Sequence, residues 1–176
     1  MNNSPLLSRR ICLKNIMVIV NCLIKLHHPE VFAHLKALSM PIEWYFQDAF
    51  ESLYAECFSS DLVLRLWDMI ILSSTNGENK KRALWWLLAL PLYMVNINNT
   101  LILQSKSPLV IKDLLTKCTA ASIYTPTEFI ESLLSIIKNV FVEKEGVFSR
   151  VLKNDDPNQL EKMREEVERS YLHENF

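Results

Sequence analysis

His27, Glu30 and His34 have the spacing of one helix face, and two imidazoles with a carboxylate are a donor set for a divalent metal. Pro29 stands inside that stretch and breaks the continuous turn such a site needs, so the reading is a corner between two helices and no metal site is expected. The four cysteines, Cys12, Cys22, Cys57 and Cys118, are scattered, form no Cys-x-x-Cys pair and lie among apolar neighbours, the pattern of buried reduced thiols. No glycine-bracketed serine marks a nucleophile. Gly77 and Gly146 are the only glycines, and phosphate-cradling loops depend on glycine, so a P-loop and a dinucleotide fingerprint are both absent. No catalytic residue and no cofactor is expected.

Trp44, Trp67, Trp85 and Trp86 fall at helical spacing without interleaved basic residues, which makes them core residues rather than a platform for stacked bases. Arg65 and Asp68 flank Trp67 inside an apolar stretch. Charged groups enter cores only when paired, so the expectation is that they pair with a neighbouring helix or cap its carbonyls, with a partner-facing role as the lesser reading. Trp67 itself is expected at the centre of the core, between helices at 41–58 and 80–97.

These residues need helices to position them, and helix punctuation runs through the chain. The apolar positions Ile16, Ile19, Val20, Leu23 and Ile24 predict a helix over 8–26 that His28-Pro29 ends. Pro29 opens a second, short helix to about residue 38. Pro41 opens a third to residue 58. Ser59 or Ser60 caps a fourth over 61–72, apolar nearly all round and therefore central. A polar loop at 73–79 precedes a fifth helix over 80–97, which Pro91 should kink or split. Ser107-Pro108 starts a sixth to about residue 119. Thr125-Pro126-Thr127-Glu128 is a capping box that launches a seventh to about residue 145. Gly146 and Asn154-Asp155-Asp156 bracket a boundary, giving a helical lobe at 1–146 and a linker with a charged helix at 147–176. That last helix, near 157–172, carries a narrow stripe of Leu160, Met163, Val167 and Tyr171. The stripe is coiled-coil-like in spacing and predicts a docking element laid into a groove, on a partner in the favoured reading and back on its own lobe in the alternative.

Bulk properties agree with an all-α fold. Of 176 residues, 49% are apolar, enough for a single buried core. Nineteen basic and twenty acidic residues leave a formal net charge of -1, so no field draws nucleic acid. Residues 1–29 contain no acid but include Arg9, Arg10, Lys14 and Lys25, which a mitochondrial presequence would also show. The apolar run at 16–24 is shorter than the ~20 residues of a membrane span, and no small-residue cleavage signature follows it. A first core helix of a cytoplasmic, reducing-compartment protein is expected, with no transmembrane segment.

The stretch from Leu23 to Leu72, LIKLHHPEVFAHL followed by MPIEWYFQDAFESLYAECFSSDLVLRLWDMIIL, resembles the C-terminal half of the TBC domain of Rab GTPase-activating proteins. His28-Pro29 and His34-Leu35 match that family's corner and His-Leu pair. Tyr45 and Leu53-Tyr54 match its tyrosine-led helix, and Arg65-Leu66-Trp67-Asp68 matches its Arg-x-Trp-Asp signature. The likeness extends more weakly over about 15–145. It implies a multi-helix bundle like the C-terminal lobe of that domain, with a Rab-type small GTPase or a larger assembly as protein partner.

The family's catalysis relies on an arginine finger in Ile-x-x-Asp-x-x-Arg and a glutamine finger in Tyr-x-Gln. These groups stabilise charge on the transferring phosphoryl group and orient water. No Ile-x-x-Asp-x-x-Arg occurs here. Tyr45-Phe46-Gln47 spells the second motif by coincidence, since it lies inside a helix and no glycine follows. The resemblance therefore implies a non-catalytic module, with a split activator whose fingers lie elsewhere as the alternative.

Overall fold

The computed structural model describes the backbone of residues 5–75, 80–117 and 125–142, and of Glu165. Within these the chain forms helices and no strand. They are α1 (Pro5–His27), α2 (Pro29–Ala37), α3 (Ile42–Glu51), α4 (Ser60–Thr75), α5 (Lys80–Gln104), α6 (Pro108–Thr116) and α7 (Pro126–Ile136), the last continued by a π-helical segment, Ile137–Val142.

Proline and capping chemistry set most of the boundaries. At His28 the chain turns by 118° between α1 and α2, because the residue before a proline is pushed out of the α region; its φ is -138°. Pro29 and Pro108 occupy first-turn positions, where the missing N–H costs nothing. The Thr125 side chain accepts from the Glu128 amide at 3.3 Å while the Glu128 carboxylate accepts from the Thr125 amide at 2.9 Å. Two orphan donors of α7 are thus satisfied reciprocally.

α5 is the axis of the bundle, 25 residues long, or about 37 Å, and α1, α2, α4, α6 and α7 all pack against it. Every residue from Leu88 to Leu90 and from Leu92 to Val95 is buried. Centrality therefore belongs to α5 and not, as expected, to α4. α5 also runs on through Pro91. A proline costs about 3 kcal/mol inside a helix, and burial against five neighbours exceeds that. Ala83–Gln104 is apolar and long enough to cross a membrane, but 61% of that window is buried inside the protein, as in a core helix.

α5 continues beyond its expected end at residue 97 because Asn98, in a turn that reads as polar, is an internal strut. Its side-chain amide donates to the Met94 carbonyl at 3.0 Å and to the Leu114 carbonyl at 2.9 Å, which ties α5 to α6. An aromatic seam closes the bundle from α7 and the π-helical segment that continues it. Phe129 meets Phe58 at 5.1 Å and Tyr93 at 5.3 Å between ring centroids, and Phe141 stacks on Trp85 at 6.2 Å.

Candidate partner-binding surface

α4 carries the Arg-x-Trp-Asp signature, and its two faces differ. Ser59 gives its carbonyl to the Val63 amide at 3.0 Å, and Asp61 stands in the first turn, where the helix dipole favours an anion. Leu62, Val63 and Leu66 form the inner face, buried against the core. The outer face exposes Leu64 by 59%, Ile71 by 59% and Leu72 by 60%. Arg65 and Asp68 lie exposed among them. The helix is apolar on both sides because the outer side is uncovered, not because it is central. Neither Arg65 nor Asp68 bonds another described residue, so the expected pairing with a neighbouring helix finds no counterpart there.

Trp67 stands at the edge of this face. It is half-buried rather than central, and its indole N–H donates to the Leu53 carbonyl at 3.1 Å. That carbonyl is presented by an unusual helix end. α3 was expected to reach residue 58 but stops at Glu51. The Leu53 amide bonds the Phe50 carbonyl at 3.2 Å and the Tyr54 amide bonds the Ala49 carbonyl at 2.7 Å, the two bonds of a Schellman motif. The residue after the cap in that motif is left-handed and usually glycine; here Leu53 has φ 50°, and Tyr54 follows at 61°. With leucine at that position, no stop signal is readable from residue type.

The remaining family-motif residues lie elsewhere. His28 is half-buried at the α1–α2 corner, where burial lowers its imidazole pKa below 6.5 and Glu30 partly offsets the shift. His34 donates from Nε2 to the Ser105 carbonyl at 2.8 Å, tying α2 to the end of α5. Glu30 accepts from Asn99 at 3.4 Å. Pro29 is exposed at the start of α2, and Leu35 is buried beneath it. Tyr45 is fully buried, edge-on to Trp44 at 5.1 Å, and burial raises its phenol pKa. The motif therefore divides into a structural corner (His28, Pro29, His34, Leu35), a core residue (Tyr45) and an outward face (Arg65, Trp67, Asp68). Gln47 is exposed on α3 and donates to Glu51 one turn on at 3.0 Å. Leu160, Met163, Val167 and Tyr171 lie outside the described residues.

The α4 face offers apolar contact area around one cation and one anion, and the described residues include no cluster that could hold a metal ion. The described residues together define an all-α helical bundle with one apolar helix face turned outward. The family model of the Rab-GTPase-TBC domain matches residues 7–98, just over half of the chain. The chain belongs to that family, whose general business is contact with Rab GTPases. Neither a curated protein nor a solved structure matches it.

Proposed function

We propose that the chain is a TBC module that binds a Rab-type GTPase, or an assembly containing one, without accelerating GTP hydrolysis. One observation carries this reading: the sequence holds no Ile-x-x-Asp-x-x-Arg. The bond from Gln47 to Glu51 along α3 supports it, because a water-orienting glutamine has to project from a loop toward the nucleotide. The module then serves as an adaptor or subunit of a larger complex, in the cytoplasm, with the mitochondrion as the second compartment. Buried cysteines outside any disulfide, Cys22 and Cys57, suit a reducing compartment.

A second reading is a split activator, favoured by the likeness of residues 23–72 to the C-terminal half of the domain. Its fingers then stand on another chain or on further sequence. Binding and single-turnover hydrolysis, measured with a panel of Rab-type GTPases, test both readings. Binding without acceleration is the expected result, since an arginine finger is worth about 10³–10⁵ in rate. Acceleration by the chain alone that disappears in Gln47→Ala overturns the proposal. Acceleration only after adding a protein that carries Ile-x-x-Asp-x-x-Arg establishes the second reading.

A further inference from the structure

A cleft of about 250 Å³ lies where α1, α2 and the approach to α3 meet. α4 packs against α5 and α7 and contributes nothing to its lining. We propose that this cleft binds a small amphiphilic anion, a carboxylate or phosphate monoester head on a short apolar body. The site stands apart from the α4 face and does not depend on that surface's partner.

Helical spacing divides the cleft into a cationic mouth and an apolar floor. Asn21 and Lys25 are one turn apart on α1, and Phe32 and Lys36 are one turn apart on α2, so each helix gives the cleft one face. The 118° turn between the two helices brings those faces together. Leu35 and Ile42 are buried and Phe32 and Met40 half-buried, which makes the floor apolar. Lys25 is half-buried and Lys36 exposed. A lysine stem lies along apolar surface while its ammonium group stays at the water boundary.

The charge on the lining is one-sided. The groove between α3 and α6 also contains two lysines, but it supplies their carboxylates itself: Lys112 meets Asp48 and Lys117 meets Asp113, each at 2.8 Å. The described lining of the α1–α2–α3 cleft holds two lysines and an asparagine amide and no acid. A ligand that enters it meets donors at the mouth and hydrocarbon below. An anion with an apolar body satisfies both, since its head accepts from the ammonium groups and its body displaces water from the floor.

Volume limits the body. A water molecule's share of liquid volume is about 30 Å³, so the cleft takes roughly eight non-hydrogen atoms. A six-carbon carboxylate has that size, and a nucleotide is several times too large.

Titration of the full chain labelled with ¹³C-methyl methionine tests the site, because Met40 lines it. Hexanoate and hexyl phosphate should shift the Met40 methyl signal saturably and leave the other methionine signals in place. Hexanol, acetate and inorganic phosphate should each bind at least about tenfold more weakly. Lys25→Gln and Lys36→Gln should each weaken hexanoate roughly fivefold, and Lys36→Arg, which keeps the charge, should restore most of the loss. Equal affinity for hexanol shows that no charge is read, and equal affinity for acetate shows that no apolar body is read; either result overturns the proposal. Unchanged hexanoate affinity in the double variant Lys25→Gln, Lys36→Gln does the same. Absence of a saturable Met40 shift also overturns it, and sedimentation of the chain with phosphatidic acid vesicles in that case assigns the cleft to a membrane headgroup.

Discussion

The indole N–H of Trp67 donates to the backbone carbonyl of Leu53 at 3.1 Å, across 14 residues of sequence. The bond pins the α3–α4 connection to the rim of the exposed face, where the acceptor is offered by a leucine in left-handed geometry. Trp67 therefore works as a latch at the surface, and its removal has a smaller effect than loss of a core aromatic. Trp67→Ala should lower stability by about 2 kcal/mol, below the ~3–5 kcal/mol of a fully buried tryptophan. Trp67→Phe should cost about 1 kcal/mol, for the hydrogen bond. Chemical denaturation measures both, and equal losses from the two variants would remove the latch from the account.

Leu53→Gly should stabilise the protein. A left-handed leucine costs roughly 1 kcal/mol more than glycine there, and the side chain is 48% exposed, so little burial is lost. A Tm higher by roughly 2–4 °C is the expected result. A lower Tm would mean that the leucine side chain is held by contacts worth more than its backbone strain.

Asn98→Leu should destabilise, although leucine is similar in size and the position is buried. The Leu114 carbonyl loses its donor, and an unsatisfied buried acceptor costs about 1–3 kcal/mol. The loss should reach hydrogen exchange first at α6, which Asn98 ties to α5. Uniform faster exchange over all helices would contradict that local role.

The capping box of α7 gives a pH dependence with a definite sign. Hydrogen bonds from the Thr125 backbone and side chain hold the Glu128 carboxyl below its usual 4.5. A carboxylate with a depressed folded pKa contributes stability above its unfolded pKa and loses it as pH falls through the folded value. Glu128→Gln should thus melt below the parent at neutral pH, and the gap should close in acid below the folded pKa. A gap that is constant with pH would assign the effect to helix propensity instead.

These positions also show what the sequence could disclose. The His28-Pro29 corner and the Thr125–Glu128 box were legible because each rests on local stereochemistry a few residues wide. The end of α3 was not, since a leucine fills a glycine's place in the Schellman motif. Asn98 reads as helix-ending polarity until the Leu114 carbonyl, sixteen residues on, is found within reach. The α4 error has a different origin: apolar residues all round a helix signal burial only if something covers every side. Arg65 and Asp68 were the contrary signal, two charges in an apolar run that solvate outward. The split of the family motif into corner, core and face follows from tertiary packing and has no trace in its spacing.

The aromatic seam formed by Phe129 and Phe141 has a consequence for synthesis. The family match ends at residue 98, yet Phe58, Tyr93 and Trp85 each meet a ring supplied from position 129 or 141. On the ribosome, translating from Tyr93 to Phe141 takes roughly 2–10 s at 5–20 residues per second. The long apolar helix α5 is complete at Gln104, early in that interval, and its last neighbours are unmade for the remainder. A ribosome that stalled between those codons would therefore hold a product with its hydrophobic seam open.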